Sequence, residues 1–211
     1  MTEIPFGYVQ AGKIFRREWG EYPEREIGEV RDDDIEKSTA FFVEKFADLS
    51  QSIDQITETI DQAENQGSYL MKLIHLKEHL PEHDGLGDYS QLLSTLLHYE
   101  KLIRSKIDEN RARNSAIKDA LIDEADELEE IVSWKEATEK AHDLKARWIK
   151  TGNVEEHKHE ELETAFWNKI STFFERKKQF YEDKQRLTDY WKRKYEELVV
   201  EAENLSKFKG K

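Results

Sequence analysis

Ser133-Trp-Lys-Glu-Ala-Thr138 and Leu144-Lys-Ala-Arg-Trp148-Ile-Lys-Thr-Gly152 are the two ends of the stretch that decides how this chain is read. Ser133 followed by Glu136 is a capping box, which places a helix start at Trp134. Trp134, Ala137, Thr138, Ala141, Leu144 and Trp148 recur at steps of three and four, so one face of that helix is apolar. Gly152 stands where a left-handed helix-terminating residue is wanted, and Glu155-Glu156 favours the positive end of the next helix. The run Glu161-Leu-Glu-Thr-Ala-Phe166-Trp167, closing on Phe173-Phe174, then supplies a second apolar face. The expectation is a helical hairpin pinned by tryptophans. It carries no chemistry of its own.

Outward from that hairpin, heptad-like spacing dominates. Phe42, Phe46, Leu49, Ile53, Ile56, Ile60 and Ala63 alternate steps of four and three, the mark of a coiled-coil seam, and Asp32-Asp33-Asp34 marks its helix start. A shorter apolar run, Leu70 to Leu80, is stopped by Pro81. Asp88 with Gln91 resembles another cap, and Tyr89, Leu92, Leu93, Leu96, Leu97, Ile103 and Ile107 form the face behind it. Asp108–Asn114 is polar, but Ile117, Leu121 and Leu128 resume the spacing, which predicts one long helix or two joined end to end. After Glu155 an amphipathic run continues to residue 206. Unbroken, it would be ~78 Å long, so it either breaks, with Lys184 a weak point in the seam, or outruns any core. Only residues 8–31 read differently: Ile14-Phe15 and Ile27-x-x-Val30 flank Trp19-Gly-Glu-Tyr-Pro23, which predicts a β-hairpin docked on the helices.

The fold class expected is all-α: an elongated antiparallel helical bundle or three-helix coiled coil with a small N-terminal β-hairpin. Its expected parts are a hairpin arm (1–31), a long-helix region (32–132), the Trp-rich hairpin (133–186) and a basic C-terminal helix (187–211). The pattern Trp134, Leu144-x3-Trp148, Gly152, Trp167 and Phe173-Phe174 resembles the bacterial domain of unknown function 349 family. The likeness extends more loosely to Lys13-Ile-Phe, Arg25-Glu-Ile-Gly28 and Gly87-Asp88, and Asn168–Thr172 is shorter than the family's spacer. The resemblance implies helices and no particular activity. Trp191, in Asp189-Tyr-Trp-Lys, has the look of a further repeat's start but lacks a downstream Leu-x3-Trp.

Composition narrows the function classes. The 211 residues include no cysteine, so neither a disulfide nor a thiolate metal site forms. No basic-plus-apolar leader and no run of 18 apolar residues occurs, so a cytoplasmic protein without a membrane partner is expected. A net charge of −13 opposes nonspecific DNA wrapping. Residues 165–211 nevertheless carry twelve Lys/Arg against eight Asp/Glu, leaving −17 on the rest. Arg176, Lys177 and Lys178, and 16 residues later Lys192, Arg193 and Lys194, are the candidate contacts to an anionic partner. Four and a half turns apart on a continuous helix, the two clusters face nearly opposite sides.

His75, His79 and His83 are spaced by four, and Glu78 and Glu82 lie nearby, but Pro81 interrupts the helix and no His-Glu-x-x-His is present. His157 and His159 are no stronger, and solvated histidines account for both sets. Phosphate-cradling glycine loops, nucleophile elbows and dinucleotide fingerprints are absent from the sequence, so no enzyme, metal or cofactor is expected. Tryptophans beside lysines can stack nucleic-acid bases, yet Trp134 and Trp148 share an apolar helix face, which favours core packing. The sequence thus points to a non-enzymatic interaction or scaffold module with a protein partner. An RNA- or ribosome-associated factor using the basic C-terminal helix is the alternative. Oligomeric state is not legible.

Overall fold

The computed structural model describes residues 1–208. Four strands come first: β1 (Thr2–Ile4), β2 (Gly7–Gln10), β3 (Lys13–Arg16) and β4 (Arg25–Glu29). Five helices follow: α1 (Ile35–Gln62), α2 (Leu70–His79), α3 (Tyr89–Asp126), α4 (Trp134–Lys150) and α5 (Glu156–Phe208). The chain divides into two compact units, Met1–Glu109 and Asn110 onward. The boundary between them falls inside α3, in the polar run Asp108–Asn114. Both candidate breaks in the long helices are unused, since α3 and α5 are each continuous through theirs.

In the first unit, the expected hairpin is two strands of a larger sheet. β3 pairs β4 antiparallel, from Lys13↔Glu29 to Arg16↔Arg25, and the order is β1-β2-β3-β4. The β2–β3 turn is Ala11-Gly12, both at positive φ (49° and 75°), the geometry of a tight two-residue hairpin. β1 and β2 are three and four residues long and are not among the expected strands. The sheet is docked, as expected of a marginal element. Ile14 and Ile27 bury against Phe42 of α1 and Leu86. Gly28 permits that approach, because a Cβ there would lie 2.3 Å from Phe42 Cζ.

The predicted α1 seam faces inward: Ile53 and Ile60 are fully buried with Leu73 of α2 and Tyr89, Leu96 and Ile103 of α3. Asp34 caps α1 by accepting from the Lys37 N–H at 2.9 Å, and Asp88 caps α3 through the Gln91 N–H at 3.1 Å. Arg16 is the exception to an apolar core. Its guanidinium donates to the carbonyls of His83 (2.9 Å) and Pro81 (3.0 Å) and lies 4.6 Å over the Tyr89 ring. That arrangement fixes the loop between α2 and α3.

Candidate interaction surface

The second unit has a small core made by three helices. Leu121 and Ala125 of α3 and Leu128 of the turn after it meet Ala137, Ala141, Leu144 and Trp148 of α4. Leu162, Phe166, Ile170 and Phe173 of α5 complete it. The Ser133 hydroxyl accepts from the Glu136 N–H, so α4 starts where the capping box says. Trp148 is buried and stacks on Phe166 at 4.0 Å and 5°. Trp134 is only half-buried, lying against Phe173 and Phe180. Of the adjacent Phe166 and Trp167, Phe166 takes the core. Trp167 turns aside, and its indole N–H donates to Glu163 at 2.8 Å.

Glu163 is the electrostatic centre of this unit. It accepts from the Lys118 ammonium at 2.7 Å and from the Trp148 indole at 3.2 Å, while Lys118, 5% exposed, lies 4.3 Å over the Trp148 ring. Partial burial pushes the carboxyl up and is the largest single influence. The Lys118, Trp167 and Trp148 donors together outweigh it and hold the Glu163 carboxyl below its ordinary value. The donors and acceptors of the cluster are paired with one another.

Gly152 corrects one expectation. Its φ is not positive, and α4 ends on Thr151 in an extended conformation (φ −69°, ψ 125°). What requires a small residue is Asn114, whose side-chain amide donates to the Asn153 carbonyl at 2.8 Å and would lie 3.0 Å from a Cβ on Gly152. Close approach, not backbone handedness, selects glycine here.

The histidines do not converge. His75 and His79 stack edge-on at 4.2 Å and His79 meets Glu82, whereas His83 turns to the Tyr89 hydroxyl at 2.7 Å. Burial, the largest influence, and the nearby Lys45 and Arg16 charges hold the His83 imidazole below its ordinary value. Among the described residues no group of three His, Asp or Glu is placed to hold a metal ion. No helix among them is long and apolar enough to cross a membrane.

The six candidate basic residues fare unequally. Arg176 pairs with Glu129 at 2.7 Å, and Lys177 donates to Thr138 Oγ1 at 2.8 Å, so both serve packing of the second unit. Lys178 lies 4.0 Å from Glu182, Arg193 donates to the Asp189 carbonyl at 3.3 Å, and Lys194 pairs with Glu197 at 2.7 Å. Lys192 is exposed.

From Lys178 to Lys207 every residue of α5 is exposed. Phe180, Leu187, Trp191, Tyr195, Leu198 and Leu205 lie between 45% and 67% exposed. At 100° per residue these six, with Ala202, fall within one stripe less than a quarter of the circumference wide. Sequence reasoning assigned this run to an amphipathic helix but missed what it repeats. Leu198-Val-Val-Glu-Ala-Glu-Asn-Leu205 matches Leu121-Ile-Asp-Glu-Ala-Asp-Glu-Leu128, and on that register Trp191 falls opposite Asn114, not opposite Trp134. The first copy of the pattern is core: Leu121 is fully buried, and Ala125 and Leu128 are each 3% exposed. A comparison of the chain with itself at fixed offset is the signal that finds it.

Residues 89–157 match the family model DUF349, a Domain of Unknown Function. The match takes in α3 and α4 with Trp134, Leu144, Trp148 and Gly152, and leaves Trp167, Phe173 and Phe174 outside. The likeness to DUF349 therefore lies on the helix before the Trp hairpin as much as on the hairpin itself. No curated protein and no solved structure matches the chain.

Proposed function

We propose that this chain is a non-enzymatic helical interaction module, and that it engages a protein partner through the exposed distal half of α5. The observation that carries this reading is the stripe from Leu187 to Leu205, an apolar face that is solvent-exposed along its whole length, beyond the point where Phe180 meets Trp134. An isolated helix is marginal in water, and most helical stability in proteins comes from packing an apolar face. Local pairs such as Arg186–Asp183 and Lys194–Glu197 help to hold the helix, but exposed ion pairs contribute little to stability. A covered stripe contributes more. The tie-up of Arg176 and Lys177 weighs against RNA as the principal ligand.

Affinity capture from the native cell tests the reading, comparing the wild-type chain with a Leu187→Glu/Leu198→Glu variant. The module reading expects protein retained by the wild type, lost by the variant and indifferent to ribonuclease. Identical retention by both chains overturns it. Retention abolished by ribonuclease and falling steeply with salt would hand the function to the RNA alternative.

A further inference from the structure

The distal stripe is flanked by charge in an ordered way. Lys184 to Lys194 carries Lys184, Arg186, Lys192, Arg193 and Lys194 against Asp189 alone, a balance of +4. The next eleven residues, Tyr195 to Leu205, carry Glu196, Glu197, Glu201 and Glu203 and no base, a balance of −4. Eleven residues are close to three helical turns, so stripe positions recur from one block to the next: Lys184 with Tyr195, Leu187 with Leu198 and Trp191 with Ala202.

We propose that distal α5 is a self-association surface on which a second copy of the chain lays its own α5 antiparallel, centred between Lys194 and Tyr195. This inference rests on the interaction reading above and names its partner. In that register the +4 block of each copy faces the −4 block of the other. Trp191 meets the neighbourhood of the partner's Leu198, and Leu187 that of the partner's Ala202. The arrangement is isologous and closes as a twofold dimer. A parallel pair would set each block against its own kind, so charge decides direction while the apolar stripe supplies affinity. Covering Leu187, Trp191, Tyr195, Leu198 and Leu205, with the stems of Lys184 and Lys194, removes on the order of 600 Å² per copy. The total of about 1,200 Å² is at the lower edge of specific interfaces, as suits a reversible dimer.

The absence of cysteine allows single spin labels to be placed without background. The full chain is followed by light scattering over a concentration series, with labels at Glu196 or at Glu182. The dimer mass is expected to appear with concentration. Like labels at Glu196 should be offset by only about 5 Å along the axis and those at Glu182 by about 38 Å. Trp191→Glu and Leu198→Glu, both outside the core of the second unit, should each weaken association at least tenfold with helix content unchanged. Lys192→Glu/Lys194→Glu, which flank the stripe on its two sides, should weaken it as well, and adding Glu196→Lys/Glu197→Lys should restore it. A monomeric mass up to about 1 mM overturns the proposal, and if stripe-dependent capture persists, the interaction reading survives without it. Short distances at both label positions overturn the antiparallel register. Association indifferent to Trp191→Glu and Leu198→Glu places the dimer surface elsewhere and overturns the proposal too.

Discussion

Two stretches of this chain share the pattern Leu-x2-Glu-Ala-x2-Leu and meet opposite fates. Leu121–Leu128, running from α3 into the turn after it, is buried beneath α4 and the first half of α5, whereas Leu198–Leu205 of α5 is open to solvent. The apolar spacing and the Glu-Ala pair at its centre are common to both. The difference lies in what the chain supplies next. After Leu128 comes Ser133, a capping box and a Trp-bearing hairpin that folds back over the stripe. A helix face encodes a demand for cover, and only neighbouring elements satisfy it.

Truncating the same leucine in each copy should have very different costs. Leu121→Ala should cost ~2–5 kcal/mol, because it removes a fully buried side chain from a three-helix core with little room to collapse. Leu198→Ala should stay within about ±0.5 kcal/mol at concentrations where the chain is monomeric. Denaturant melts read both, and equal costs would mean the two stripes are equally covered.

The next largest effect separates the polar partners of the two stretches. On the shared register Lys118 is matched by Tyr195, and Lys118 alone has a carboxylate upon it. Glu163→Gln keeps an acceptor for the indoles but leaves the buried ammonium without its counter-charge, at a cost of roughly 1–3 kcal/mol given partial solvent access. Because the Glu163 carboxyl is held below its unfolded value, its contribution is complete above about pH 4.3 and is lost as pH falls through the folded value. Acid melts of the wild type should show that slope, and Glu163→Gln should flatten it. An unchanged slope in the variant would remove Glu163 from the account.

The smallest effect concerns the turn that brings the cover back. Gly152→Ala faces two opposed terms, a gain of about 0.4–1 kcal/mol from a stiffer unfolded chain and a crowded Asn114 amide. The net change should be under about 1 kcal/mol in either direction. With Asn114→Ser present, the same substitution should become stabilising by about 0.5 kcal/mol. Strong destabilisation in that background would restore a left-handed requirement at Gly152.

Much of the fold was legible because its signals are local. Steps of three and four located α1, α3, α4 and α5, the Ser133 and Asp88 caps marked two of their starts, and Ile14-Phe15 with Ile27 located the paired strands β3 and β4. β1 and β2 escaped because they pair across the Pro5-Phe6 turn and onto β3, a partnership that no run of apolar residues in 2–10 announces. The role of Gly152 escaped because Asn114 is brought to it only by folding.

The sequence by itself determined which faces are apolar, where helices begin, and that cysteine chemistry is excluded, since periodicity, capping and composition act within a few residues. Only the tertiary structure decided which of the two matching stripes is core and which is surface. It also brought Arg176 to Glu129 and Lys177 to Thr138, and left Trp134 half-buried while enclosing Trp148. Burial depends on what lies across from a side chain, and that neighbour is fixed by contacts between residues far apart along the chain.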